Sequence, residues 1–135
     1  MTDRELVAKK LALIETCVHD LRTLARPEEM KQDVREERFI EHTLQIAIQA
    51  ALDVAAHIVA DESLGEPRTN RDLFDLLERH GWLSGELANE LRQMVGFRNV
   101  LVHGYGDVDL EIVEEIVRHH VGDLLRFVAA IRGKV

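Results

Sequence analysis

Between Arg98 and Tyr105 the chain reads RNVLVHGY, and its residue types suit phosphate chemistry. A guanidinium holds a phosphate in a bidentate fork and stabilises charge on it. An imidazole titrates near neutrality and moves a proton. RNA supplies its own nucleophile in the 2′-OH, so its cleavage without a metal needs only acid–base help and phosphate stabilisation. No carboxylate falls between Glu90 and Asp107, which makes this stretch a cationic island in an acidic chain.

The arginine also breaks a pattern. Leu87, Leu91, Met94, Arg98 and Leu101 follow the alternating four-and-three spacing of a helical stripe, so position 98 should be apolar. Buried without a partner, a guanidinium costs several kcal/mol. Arg98 must therefore face a partner chain, a polar cleft or a carboxylate. The helix period puts Arg98, Val102 and Tyr105 near one face and turns His103 about 140° away. Gly104 and Gly106 argue that the helix ends near His103, leaving imidazole and phenol at a turn. The competing account is a structural arginine salt-bridged to an acid of the second helix, beside a histidine favoured at a helix C-terminus.

Helices must position these groups. Val7, Leu11, Ile14, Val18, Leu21 and Ala25 make a stripe that predicts a long helix over 3–26, capped by Thr2 or Asp3 and stopped before Pro27. A second long helix is expected over roughly residues 31–62, apolar on most faces and hence central. SLGEPRTN reads as a loop. A short third helix follows, with Thr69 or Asn70 as its cap and Gly81 at its end. Ser84 opens the fourth. Asp107 or Asp109 opens a fifth that runs to Arg132. The expectation is a single all-α domain over 1–135, an up-down bundle of about five helices with two long ones at the N-terminal end.

Composition narrows the function. The formal charge is -8, which excludes a broad nucleic-acid-coating surface but not a small cationic pocket. Aromatics are 4% against 46% hydrophobic residues, so aliphatic side chains fill the core. Cys17 is the only cysteine, which rules out an intrachain disulfide. No signal-peptide pattern and no membrane-spanning run are read, and a cytoplasmic location is expected.

Other residues invite chemistry. Asp53 and His57 are spaced to bond each other, or Asp53 to reach and orient Arg98 or His103. Glu115, His119, His120 and Asp123 have metal-like spacing without a second cluster, so no metal is expected. Trp82 reads as a plug on the third helix. Arg92 either extends the cationic cleft or pairs with an acid on another helix.

The octapeptide, taken whole, resembles the R-x4-H-x-Y motif of the HEPN superfamily, in particular HepT-like toxins of nucleotidyltransferase-paired toxin–antitoxin modules, a type VII-like system. Arg98, His103 and Tyr105 match its three positions, and LQIAIQAALDVAAHIVA, NRDLFDLLERHGWL and MVGFRNVLVHGY resemble its helices in order. The resemblance implies a homodimer with the two motifs in a shared cleft, and metal-independent endoribonuclease action on tRNA or mRNA. It implies Arg98 as phosphate ligand, His103 as acid–base group, and Asp53 and Asn99 in support. It further implies a cognate minimal nucleotidyltransferase antitoxin that uses ATP to place AMP on Tyr105. The alternative is a non-catalytic HEPN adaptor that binds nucleotide or assists its nucleotidyltransferase.

Overall fold

The computed structural model describes residues 3–103 and 108–135, with backbone alone at 102 and 103. Helix α1 spans Arg4–Thr23, α2 Val34–Asp61, α3 Asn70–Arg79, α4 Gly85–His103, α5 Leu110–His119 and α6 Val121–Arg132. A 3-10 turn at Pro27–Glu29 joins α1 to α2. No strand occurs among the described residues.

The caps explain the boundaries. Asp3 accepts from the amides of Glu5 and Leu6, and Asp33 from that of Arg35. Thr69 and Asp72 form a reciprocal capping box at α3, whose backbone donors hold the Asp72 carboxyl below the usual range. Gly81 takes φ +80 just past α3, the left-handed conformation expected of it. Trp82 caps the same end, half-buried on the core with the Lys134 ammonium 5.5 Å from its ring centroid.

Helix α2 is the hub, packing against α1, α3, α4 and α6. Ile40, Leu44, Ala47, Ala51, Ala55 and Ile58 are buried along it, and its alanines let neighbours come close. Phe74 of α3 meets Phe127 of α6 edge-on at 6.1 Å. By length and mean hydropathy (1.4) α2 would qualify to cross a membrane, where the sequence reading saw no such run. Most of that apolar surface is covered by the other helices, as a core helix requires.

The expected fifth helix is two. His120 sits between α5 and α6 at φ -123, ψ -10, and the apolar face carries on through Val117, Val121 and Leu124. Continuous periodicity concealed the kink. Gly122 marks it: the Arg22 guanidinium lies 3.2 Å from where a Cβ would stand.

Candidate active site

Helix α4 carries its stripe as the spacing predicts, then departs from it. Leu87, Leu91 and Met94 are buried, whereas Arg98 and Leu101 are half-buried at the edge of α2. Arg98 Nη2 donates to Gln49 Oε1 of α2 at 2.5 Å. A longer contact of 3.4 Å runs from Nη1 to the Oδ1 of exposed Asn99. Arg98 Nε is buried with no hydrogen-bond partner. Among the described residues no carboxylate oxygen stands within 4.0 Å of this guanidinium, so the salt-bridged arginine weighed from sequence is not what forms.

Asp53 lies one residue removed from that contact. Its Oδ1 accepts from Gln49 Nε2 at 2.8 Å and its Oδ2 from Lys10 Nζ of α1 at 3.1 Å. The carboxylate thus touches Arg98 only through Gln49. Nor does it bond His57, which reaches Asp61 at 3.0 Å and the Asp3 amide at 3.1 Å through the same nitrogen, one at a time. The side chain of His103 and the whole of Tyr105 lie outside the described residues.

Gln49 and Lys10 were missed from sequence. A signal existed: Glu41, Gln45, Gln49 and Asp53 recur every four residues on a helix otherwise built to be buried, which makes one polar line. Its N-terminal end borders a cleft of ≈ 500 Å³ lined by Arg38, Phe39, Glu41, His42, Gln45 and Leu101. Leu101, which lines this cleft, lies about one turn beyond Arg98 on α4. Glu41 Oε2 is buried and unpartnered. Burial, then the nearby Glu37, pushes this carboxyl upward, against the pull of Arg38.

The remaining candidates find ordinary roles. Arg92 donates to Asp75 and Glu78 of α3, both at 2.9 Å, the interhelical pairing that sequence had left open. Among the described residues His119 faces Glu115 alone at 3.9 Å, whereas His120 gathers three acids: Glu90 and Asp123 at 3.8 Å and Glu115 at 3.7 Å. Glu90, His120 and Asp123 lie close enough to share an ion. Asp123 is already engaged by Arg126 at 3.1 Å, and a protonated His120 would neutralise the same carboxylates. Glu90, Glu115 and His120 rim a second cavity of ≈ 380 Å³ between α4 and α5, floored by Met94, Phe97 and Ile116.

The fold and the arginine at the α2–α4 edge define the class first: an all-helical HEPN-type bundle. A crystal structure of a toxin–antitoxin with AMP-PNP superposes with a TM-score of 0.91 at 30% identity, covering 97% of this chain and 100% of that one. The tri-AMPylated Shewanella oneidensis HEPN toxin, solved in complex with its MNT antitoxin, superposes at 0.89 with 32% identity over 99% and 100%. The mRNA nuclease HepT of Shewanella oneidensis is 31% identical over 131 residues, 96% of this chain and 98% of that protein. The family described as "Ribonuclease HepT-like" matches residues 14–131. The chain belongs to the HepT-like ribonuclease family, and the HEPN membership and all-α fold expected from its sequence hold.

Proposed function

We propose that this chain is the RNA-cleaving toxin of a HEPN/MNT pair, using Arg98 to hold the scissile phosphate and His103 to move the proton. The observation that carries this reading is the uncompensated guanidinium. Arg98 occupies an apolar register, yet its partner is a neutral amide and its Nε is free. A structural arginine gains most from a carboxylate. One that must take up a phosphate does better with its charge left open.

In the cleavage reaction the 2′-OH attacks the adjacent phosphorus and the P–O5′ bond breaks. A base removes the 2′ proton, and an acid protonates the leaving 5′ oxygen. His103, near the C-terminal end of α4, is assigned to that proton traffic, with Asn99 beside Arg98 and Asp53 behind Gln49 in support. No metal is needed for these steps. A homodimer that brings two copies of the motif into one cleft belongs to the same reading. RNA, mRNA or tRNA, is the substrate.

The AMPylated relative supports a second assignment, that a cognate nucleotidyltransferase uses ATP to place AMP on Tyr105. Such a group adds negative charge and bulk to the motif, and so excludes RNA by repulsion and sterics. Cytoplasmic action follows from an RNA substrate and an ATP-using partner.

The test is cleavage of total RNA in a chelator by protein made without its partner, beside His103→Ala, with intact mass recorded on both. Cleavage by the wild type, lost at least about 100-fold in the variant, is the expected result for a missing acid–base group. Equal cleavage by both would remove His103 from the reaction. No cleavage by unmodified, folded protein would favour the nucleotide-binding adaptor.

A further inference from the structure

Gln49 is hydrogen-bonded to two charged groups, Asp53 on one side and Arg98 on the other. Asp53 is the acid of α2 closest in sequence to the Arg98 contact, and its two oxygens are spent on Gln49 and Lys10. An amide presents a donor at one end and an acceptor at the other. With Asp53 fixing the NH2 end, the carbonyl end has one direction left, toward Arg98 Nη2. Lys10 matters because it neutralises Asp53 from the far side, at 3.1 Å. Lys10, Asp53 and Arg98 together leave one positive charge over, and it resides on the guanidinium.

The alternative residue types show why an amide serves here. A leucine at 49 would leave Nη2 without its acceptor, and the guanidinium would lose its aim. A glutamate would pair with Arg98 directly, which suits a buried cation but fills the place of the phosphate. Only a neutral acceptor both orients the fork and keeps its charge available. The rest of α2 makes the choice conspicuous, since Ile48, Ala50, Ala51 and Leu52 around it are buried and apolar.

We propose that Gln49, held by the Lys10–Asp53 pair, is a positioning residue that aims Arg98 at the phosphodiester while leaving its charge uncompensated. This rests on the reading of Arg98 as the phosphate ligand. Lys10 thereby ties α1 to the chemistry of α4 through two hydrogen-bonded groups on α2.

The experiment compares wild type, Gln49→Leu, Gln49→Glu and Arg98→Ala, all made without the partner and checked by intact mass and thermal melting. The substrate is a short single-stranded RNA of mixed sequence cut by the wild type. Its fully 2′-O-methylated form, which lacks the nucleophile, reports binding alone. Gln49→Leu is expected to lower kcat about 10-fold or more with KM within about 3-fold, because aim is lost and charge is kept. Gln49→Glu is expected to weaken binding of the methylated RNA about 10-fold, because its carboxylate competes with phosphate for the guanidinium. A Gln49 that merely stabilised the fold would shift the melting temperature and leave both parameters at wild-type values. That pattern, with Arg98→Ala inactive, overturns the positioning role while leaving the site reading in place. An Arg98→Ala variant as active as wild type overturns both. Should Gln49→Leu fail to fold, Lys10→Met carries the test, since that side chain is partly exposed. Its expected loss is about 3-fold in kcat, because Asp53 without Lys10 holds Gln49 less firmly and the aim of Arg98 is loosened, and unchanged kinetics would overturn the proposal.

Discussion

Arg92 and Arg98 sit on the same helix, both partly buried, and differ in what they are paired with. Arg92 is clamped by two carboxylates of α3 at 2.9 Å each, which joins α3 to α4. Arg98 is given an amide at 2.5 Å and a distant asparagine. The first arginine has its charge consumed by the fold, and the second has its charge kept. Partner type, more than burial, separates a guanidinium that holds helices together from one available to a ligand.

The sharpest way to break this contrast is to truncate each arginine in turn. Arg98→Ala should lower kcat/KM for RNA about 100- to 1000-fold, as loss of a transition-state charge contact does, with little change in melting temperature. Arg92→Ala should do the reverse, leaving cleavage intact and costing about 1 kcal/mol of stability, a modest figure because both of its acids are well exposed. Chemical denaturation beside a cleavage assay reads both. Activity lost in Arg92→Ala with stability unchanged would collapse the distinction.

Thr69→Ala tests the platform on which Arg92 rests. It removes the cap of α3, the helix carrying Asp75 and Glu78, and should cost about 1 kcal/mol. Because backbone donors depress the Asp72 carboxyl, its half of the capping box works at neutral pH and fades as pH falls through that lowered value. The penalty for Asp72→Ala, measured by urea melts, should therefore be larger at pH 7 than in strong acid.

The smallest effect belongs to Glu41, on the Arg98 side. Its carboxyl is raised above its ordinary 4.5 by burial, so the folded chain holds that proton more tightly than the unfolded one. The stabilisation is complete below the ordinary value and is lost as pH rises through the raised one. Glu41→Gln should match wild type in strong acid and exceed it at pH 7, by less than about 1 kcal/mol. Thermal melts across that range decide it. A variant less stable than wild type at pH 7 would mean that the carboxylate has a favourable partner there.

These contrasts were unequally legible beforehand. That position 98 breaks an apolar stripe is plain from spacing, and so is the shortage of acids around it. Arg92 showed only that no partner existed within its own helix, because Asp75 and Glu78 are distant in sequence and meet it through helix packing. Of the two contacts its spacing offers Asp53, the one with His57 does not form and the one with Arg98 passes through Gln49. The kink at His120 left no mark in the periodicity because the apolar face continues across it.

The sequence by itself determined the first four helices, the residues that could cap them and the faces they bury, though not the break between α5 and α6, since these depend on residues within a turn or two of one another. It also determined the octapeptide and its resemblance to HepT-like toxins. Tertiary structure alone decided which charges neutralise which. Electrostatic pairing acts over a few ångströms of space between α1, α2 and α4, and no spacing along the chain records that distance.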